Sequence, residues 1–498
     1  GIMSVSGKRM IYIIAVVILS LALDLLIYLY PGWFNHNSEY KWLVLWHGRR
    51  WAGLWVFFVW SAIVSSSYLL WRGFSKRLSQ RVLTLFSALI IFLLGVLSPV
   101  IFTQIERYAS YELLIRVMVS DHTGYFTDAL RFKNQQELNQ AYLENLGSLQ
   151  THSRTHPPGT VLIFMGLNRI SAGSRMVQGF YQGLVKWSVR EELREHFQVG
   201  VSEQAGAMLA LILMLICAAI SSVLGYFLVR RFYSSESAFI SSLALVSIPA
   251  FSHKSPVMDQ VFAMIILAAT LIALRGSSRR SAGAFLAWFC SGLIIGFGLW
   301  LSPGVFSALI LIPLLMLAES GTRDKVLRIK GILKKFVIAE LIILAGVLLA
   351  LYLGSMLIGA NWLDIFRANR VGWHFNNSVS GRFDVWRWIL FNPYEFFFFA
   401  SLPVLMGLML KLGLELGKFR SGGNIDYFLV FSGIFLLILD FSGQVCYESP
   451  RLCWFCFPIV SALAIEGLLS SMKKLHIFMI VVFLSLLTLH TTIVRLIY

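Results

Sequence analysis

The sequence predicts an all-α, polytopic transmembrane helix bundle. Three observations predict it. Of the 498 residues, 57% are hydrophobic and only 13% charged, where soluble domains average roughly 25% charged. Apolar runs near twenty residues recur along the whole chain, each long enough to cross a hydrocarbon core of ~30 Å. The Lys and Arg residues fall in short clusters between those runs, as topology signals do. A net charge of +17 therefore does not imply a nucleic-acid partner, because no basic face is built.

In chain order the expected spans are 10–30, 52–71, 82–103, 205–229, 237–251, 259–275, 282–299, 303–318, 336–358, 390–410, 427–443, 452–470 and 475–494, about thirteen in one transmembrane domain covering 1–498. The first run has no small-residue cleavage site and reads as an uncleaved anchor. With Lys8 and Arg9 placed in the cytoplasm, alternate loops carry 22 of the 42 basic residues, including Arg72, Arg230, Arg231, Lys325, Lys411, Lys418, Arg420 and Lys473. The short segments between them hold ten, and the last ten lie in one long loop, 104–204, too long to count in the rule. The frame requires "VLIFMGLNRI", after His156-Pro157-Pro158, to be re-entrant or surface-lying. The large loop 104–204 and a second one, 361–390, then face outward.

Polar chemistry gathers on that outer side. "VSDHTGYFTDALRF" supplies Asp121, His122, Tyr125 and Asp128, and the stretch ending in "THPPG" supplies His152, Arg154 and His156. "FSHKSPVMDQ" holds His253, Lys254 and Asp259, the last at the mouth of a helix. The 361–390 loop holds Arg370, His374, Asn376, Asn377, Arg382 and Asp384, and "SGQVCYESPRLCWF" holds Gln444, Glu448 and Arg451. Ionisable groups at a membrane boundary are costly unless paired or hydrated, so one shared extracytoplasmic cavity is the simplest account. Each residue also has a structural alternative. Asp121 is placed to cap a helix. His152 and His156 could bind metal only on a helix, and Pro157-Pro158 argues for a solvated loop there instead. Glu448 and Arg451 could form an i, i+3 ion pair. Asp24 and Asp440 lie inside apolar runs as bundle hydrogen-bonders, and His490 stands isolated in the last run. Loop tryptophans, Trp51, Trp386 and Trp388 among them, suit interface anchors.

On these residues the chain resembles the GT-C superfamily of integral-membrane glycosyltransferases, which includes protein O-mannosyltransferases and lipid A aminoarabinose transferases. Relatives place an acid in the first large outer loop as Asp/Glu-x-x-x-Tyr, here Asp121 to Tyr125. A Lys/His-Pro-Pro element follows, here His156-Pro157-Pro158-Gly159. Next comes an Asp-led helix, here Asp259, and later a Glu-x-x-Arg before aromatics and Pro, here Glu448, Arg451, Trp454, Phe457 and Pro458. The chain departs in three ways: the large loop follows the third helix, residue 122 is His where many relatives have a second acid, and 172–204 looks inserted.

The resemblance implies a polyprenyl-phosphate sugar as donor and a lipid, glycan or protein hydroxyl as acceptor. It implies an active site on the periplasmic side of a bacterial inner membrane and transfer with inversion in one displacement. Asp121 is the expected base, with Asp128 in reserve. Arg451 is the expected partner of the leaving phosphate, with Arg382 and Lys254 as alternates. His122, Tyr125, His156, Asp259, His374 and Glu448 are expected to bind or orient substrate. The chemistry requires no cofactor, and with no paired carboxylates evident a divalent metal is not assigned. A lipid-linked-sugar flippase or other transporter is the runner-up function.

Overall fold

The computed structural model describes residues 5–30, 49–120, 124–277, 282–323, 329–379, 385–444, 449–471 and 476–497. All regular elements among them are helices. Eight are long and apolar enough to cross a membrane: Trp51–Ser75, Gln80–Ile105, Val201–Phe232, Asp259–Ser277, Pro303–Gly321, Lys334–Ile358, Trp454–Ser471 and Ile477–Leu496. A ninth arises if Trp386–Ala400 and Leu402–Arg420 form one span, and Ile14–Leu29, Ala282–Gly298 and Tyr427–Phe441 are shorter apolar helices.

Two expected spans differ from the straight helices read from hydropathy. Residues 237–251 form Ser235–Leu245 and a separate turn, Pro249–His253. Pro249 opens the second piece at a position where its missing N–H costs nothing, and the Trp60 indole donates to Ser247 Oγ at 3.1 Å inside the break. The expected 390–410 span bends by 110° at Ser401, which has φ +85°, with Pro403 in the first turn beyond it.

The chain divides into two compact units, one built from Gly1–Ser110, Ala218–Ser255 and Trp386–Tyr498, the other from Tyr111–Cys217 and Pro256–Val385. Within the first unit, segments expected on the same side of the membrane meet one another. At one end Arg72 pairs with Glu236 at 3.3 Å, and the Tyr233 hydroxyl donates to Asp426 Oδ2 at 2.7 Å. Lys411 joins that end, 2.7 Å from Asp426 and 3.2 Å from Glu415. At the other end Arg49 donates to the Gln104 carbonyl at 2.8 Å, while Arg495 binds Glu106 and the His253 carbonyl.

His490, expected to be isolated, is not. Its Nδ1 lies 2.6 Å from Asp24 Oδ1 and its Nε2 lies 2.9 Å from the Phe398 carbonyl oxygen, all of it buried. The carbonyl only accepts, so Nε2 is the nitrogen that donates to it. The pair thus satisfies a carbonyl released by the bend at Ser401, a group that would otherwise be orphaned in an apolar setting. Of the expected tryptophan anchors, Trp51 and Trp386 are exposed, but Trp388 is buried in this unit.

In the second unit the Asp259–Ser277, Ala282–Gly298 and Ile329–Ile358 helices pack through small residues. A Cβ at Gly292 would lie 2.0 Å from the Ile343 carbonyl oxygen, and one at Gly346 would lie 2.4 Å from that of Phe289. Close backbone approach is how apolar helices gain contact where hydrophobicity offers no drive.

Candidate functional site

The two polar knots of the long loop interlock within the second unit. Gly124, with φ +67°, turns the chain into the Tyr125–Arg131 helix. A side chain there would be strained and would place its Cβ 2.7 Å from Gln150 Cβ. One turn on, Asp128 is 0% exposed, and its Oδ2 accepts the Gln150 backbone N–H at 2.9 Å. Gln150 stands just before the Thr151–Thr155 helix, so this bond ties the first knot to the second. Burial pushes the Asp128 carboxyl above its ordinary pKa, opposed by the nearby Ser153 hydroxyl, the Gln150 amide and the charges of Arg131 and Arg154.

The second knot is built around His156, which is 8% exposed. This corrects the expected solvated loop: a short helix does form, Thr151–Thr155, and ends before the prolines. His156 Nδ1 lies 3.0 Å from the His152 carbonyl oxygen and 3.1 Å from Thr155 Oγ1, so Nδ1 is the protonated nitrogen. The ring stacks on Phe262 at 5.6 Å, and Tyr125 meets it edge-on at 5.8 Å. Phe262 lies one turn into the helix that Asp259 begins, so these elements bring Tyr125, Asp128, His156 and the start of the Asp259 helix together.

Burying a His-Pro-Pro backbone requires donors from elsewhere, because neither proline has an N–H. Asn369, in the Trp362–Val379 helix, supplies them: its Nδ2 donates to the carbonyls of Arg154 and His156, both at 2.9 Å. The same helix gives Asn376, which donates to the Thr151 carbonyl at 2.9 Å, and Phe375, whose ring lies 5.4 Å from the Arg154 guanidinium. His374 is on this helix and exposed. Below the prolines, the Gly159 N–H donates to the Trp300 carbonyl at 3.1 Å, and a Cβ at 159 would lie 2.3 Å from that oxygen. Gly159→Ala is therefore expected to destabilise the protein by about 1–3 kcal/mol, read as a lower midpoint in detergent unfolding.

Asp128 gives a second measurable consequence. A carboxyl whose folded pKa is raised stabilises the fold while protonated and loses that contribution as pH rises through the folded pKa. Asn at 128 keeps an oxygen for the Gln150 N–H but carries no charge. The melting temperature of wild type minus that of Asp128→Asn is expected to fall as pH increases across the carboxylate range. A difference that rises with pH would exclude a buried carboxyl under a desolvation penalty.

Asp121, His122, Arg382 and Glu448 lie outside the described residues. Lys254 and Arg451 belong to the first unit. There the Lys254 ammonium sits 4.7 Å from the centre of the Phe399 ring. One turn earlier on the same helix, Glu395 Oε2 accepts from the Ser449 N–H at 3.0 Å and from its hydroxyl at 3.2 Å. The Lys254 segment and the buried Arg451 segment therefore flank one face of the Val385–Ala400 helix. Expected in the bundle, Asp440 accepts from Asn392 at 3.2 Å. Asn369 and Glu395, which hold these segments, went unrecognised in the sequence, since a lone Asn or Glu between aromatics carries no local signal. Among the described residues, no three His, Cys, Asp or Glu side chains group closely enough to hold a metal. Comparison with known proteins finds no matching family model, no matching curated protein and no matching solved structure.

Proposed function

We propose that this chain is an integral-membrane glycosyltransferase of GT-C type, crossing the membrane about thirteen times. It moves a sugar from a polyprenyl-phosphate carrier to an acceptor hydroxyl on the periplasmic side of a bacterial inner membrane. The observation that carries this reading is the interlocking of the two knots through Asp128, Gln150, Tyr125 and His156. A loop that merely covers a bundle has no need of a buried carboxyl and a buried imidazole, each held by separate segments. A rigid support for a reactive residue three positions before Gly124 does.

In the proposed reaction the acceptor oxygen attacks the anomeric carbon as the bond from that carbon to the phosphate oxygen breaks. The electron pair leaves with the phosphate, and Asp121 takes the hydroxyl proton. Arg451, with Lys254 and Arg382 as alternates, balances the departing phosphate charge. Asp128 acts as the latch that positions the knots. Tyr125, His156 and Asp259 shape the loop, and His122, His374 and Glu448 are assigned to the sugar. Lipid phosphate is already a competent leaving group, so the scheme assigns no step to a metal.

The test is incubation of the purified protein with a panel of polyprenyl-phosphate sugars and acceptors, following release of the lipid phosphate. Sugar-dependent release supports the reading, and no release from any donor, with or without acceptor, overturns it. Arg451→Ala is expected to raise the donor KM about ten- to hundredfold, the worth of hydrogen bonds to a charged group; an unchanged KM removes Arg451 from the phosphate. A lipid-linked-sugar flippase is the second reading, favoured by the buried Asp24–His490 pair, since intramembrane ionisable pairs often mark transport paths. Movement of labelled donor between leaflets without phosphate release would select it.

A further inference from the structure

The 172–204 stretch contains a helix whose outer face is exposed among the described residues. Arg175–Leu184 is ten residues long, about 15 Å of rise, half of what a crossing needs. Met176, Phe180 and Leu184, at i, i+4 and i+8, are 81%, 55% and 56% exposed, and Trp187 just beyond is 69% exposed. The adjacent face is fastened down. Tyr181 is fully buried and donates to Gln204 Oε1. Gln204 in turn donates to the carbonyls of Arg190 at 3.1 Å and Val199 at 3.2 Å. Ser174 caps the helix through the Val177 N–H at 3.3 Å, and Gln178 reaches back to the Ser171 carbonyl at 2.9 Å. The bare stripe is therefore held in place.

What covers it follows from where it is fastened and from its charge. Gln204 lies in the first turn of Val201–Phe232, a candidate span, so Tyr181 ties the short helix to the level at which that span begins. Between residues 169 and 190 the sequence carries Arg169, Arg175, Lys186 and Arg190 and no Asp or Glu, and the first three are exposed. An amphipathic helix with a bare Met/Phe/Leu stripe, an adjoining Trp and flanking cations matches the physics of a segment lying in a bilayer interface. We infer that Arg175–Leu184 is an in-plane anchor. Its Met176–Phe180–Leu184 stripe and Trp187 sink into the headgroup–acyl boundary of the membrane that Val201–Phe232 enters, and Arg169, Arg175 and Lys186 meet anionic phospholipid headgroups. This does not depend on the proposed reaction.

The test uses the full chain in nanodiscs of phosphatidylcholine with phosphatidylglycerol. Phe180, Leu184 or, on the polar face, Gln182 is replaced by the photoreactive p-benzoylphenylalanine, and the adducts are read by mass spectrometry. Lipid adducts at 180 and 184 are expected in roughly tenfold excess over 182. Equal yields at all three positions, no lipid adduct at 180 and 184, or crosslinks there to a second copy of the chain would each overturn the anchor. The headgroup contact is read from Arg175→Gln combined with Lys186→Gln in the Phe180-substituted protein. This variant is expected to lose the gain in yield that phosphatidylglycerol gives over phosphatidylcholine alone, and a retained gain overturns that contact.

Discussion

Asp121→Asn is expected to lower sugar transfer by about 10²–10⁴-fold, the usual contribution of a positioned base, while folding and donor binding persist. The amide matches the carboxylate in shape but has no site that takes a proton at neutral pH. Compensation from Asp128 in the same knot or His156 in the second is not expected. Asp128 is fully buried and already accepts the Gln150 N–H, so reaching an acceptor hydroxyl would require unlatching the loop. His156 has Nδ1 engaged with the His152 carbonyl and its ring stacked on Phe262, which fixes it as part of the support. The measurement is phosphate release under saturating donor, alongside donor affinity and melting temperature of the same preparation. Near-normal turnover in Asp121→Asn would end its assignment as base. Lost turnover accompanied by lost donor binding would make it a binding residue instead.

The contrast between what the sequence displayed and what it hid follows interaction range. Gln80–Ile105 and Ile477–Leu496 were legible because membrane crossing is a local property of composition. The break at Ser401 was missed, since 390–410 read as one apolar span; Pro403 stands in the first turn beyond it, and the carbonyl left behind at Phe398 is satisfied by His490, 92 positions away. That same His490 looked solitary because its partner, Asp24, is 466 positions distant. His156 was misread for a related reason: proline chemistry argued for an open loop, and what permits burial is Asn369, 213 positions on. The knots could be recognised as unusual from their residue types. Their interlocking could not, since it runs through the backbone N–H of Gln150, a group every non-proline residue possesses.

The largest stability effect is expected at Lys411. Its side chain is almost fully buried, 2.7 Å from Asp426 and 3.2 Å from Glu415, both of which are also largely buried. Removing one member of such a set strands the others' charge, and Lys411→Met is expected to cost about 3–5 kcal/mol. The surroundings offer partial relief only. Lys418 reaches Glu415 at 2.7 Å, but Asp426 would keep just the Tyr233 hydroxyl and the Phe428 and Leu429 N–H groups it caps. Adding Asp426→Asn to Lys411→Met is therefore expected to recover most of the loss. The amide oxygen still caps the Tyr427–Phe441 helix, the amide nitrogen in place of Oδ2 can donate to the Tyr233 hydroxyl, and no uncompensated carboxylate remains. Reversible unfolding in mixed micelles across the two single variants and the double variant gives the coupling directly. Simple additivity would mean that Lys411 acts by packing its alkyl stem beside the Tyr233 ring, 5.6 Å from its ammonium, and that charge compensation at this end of the bundle lies elsewhere.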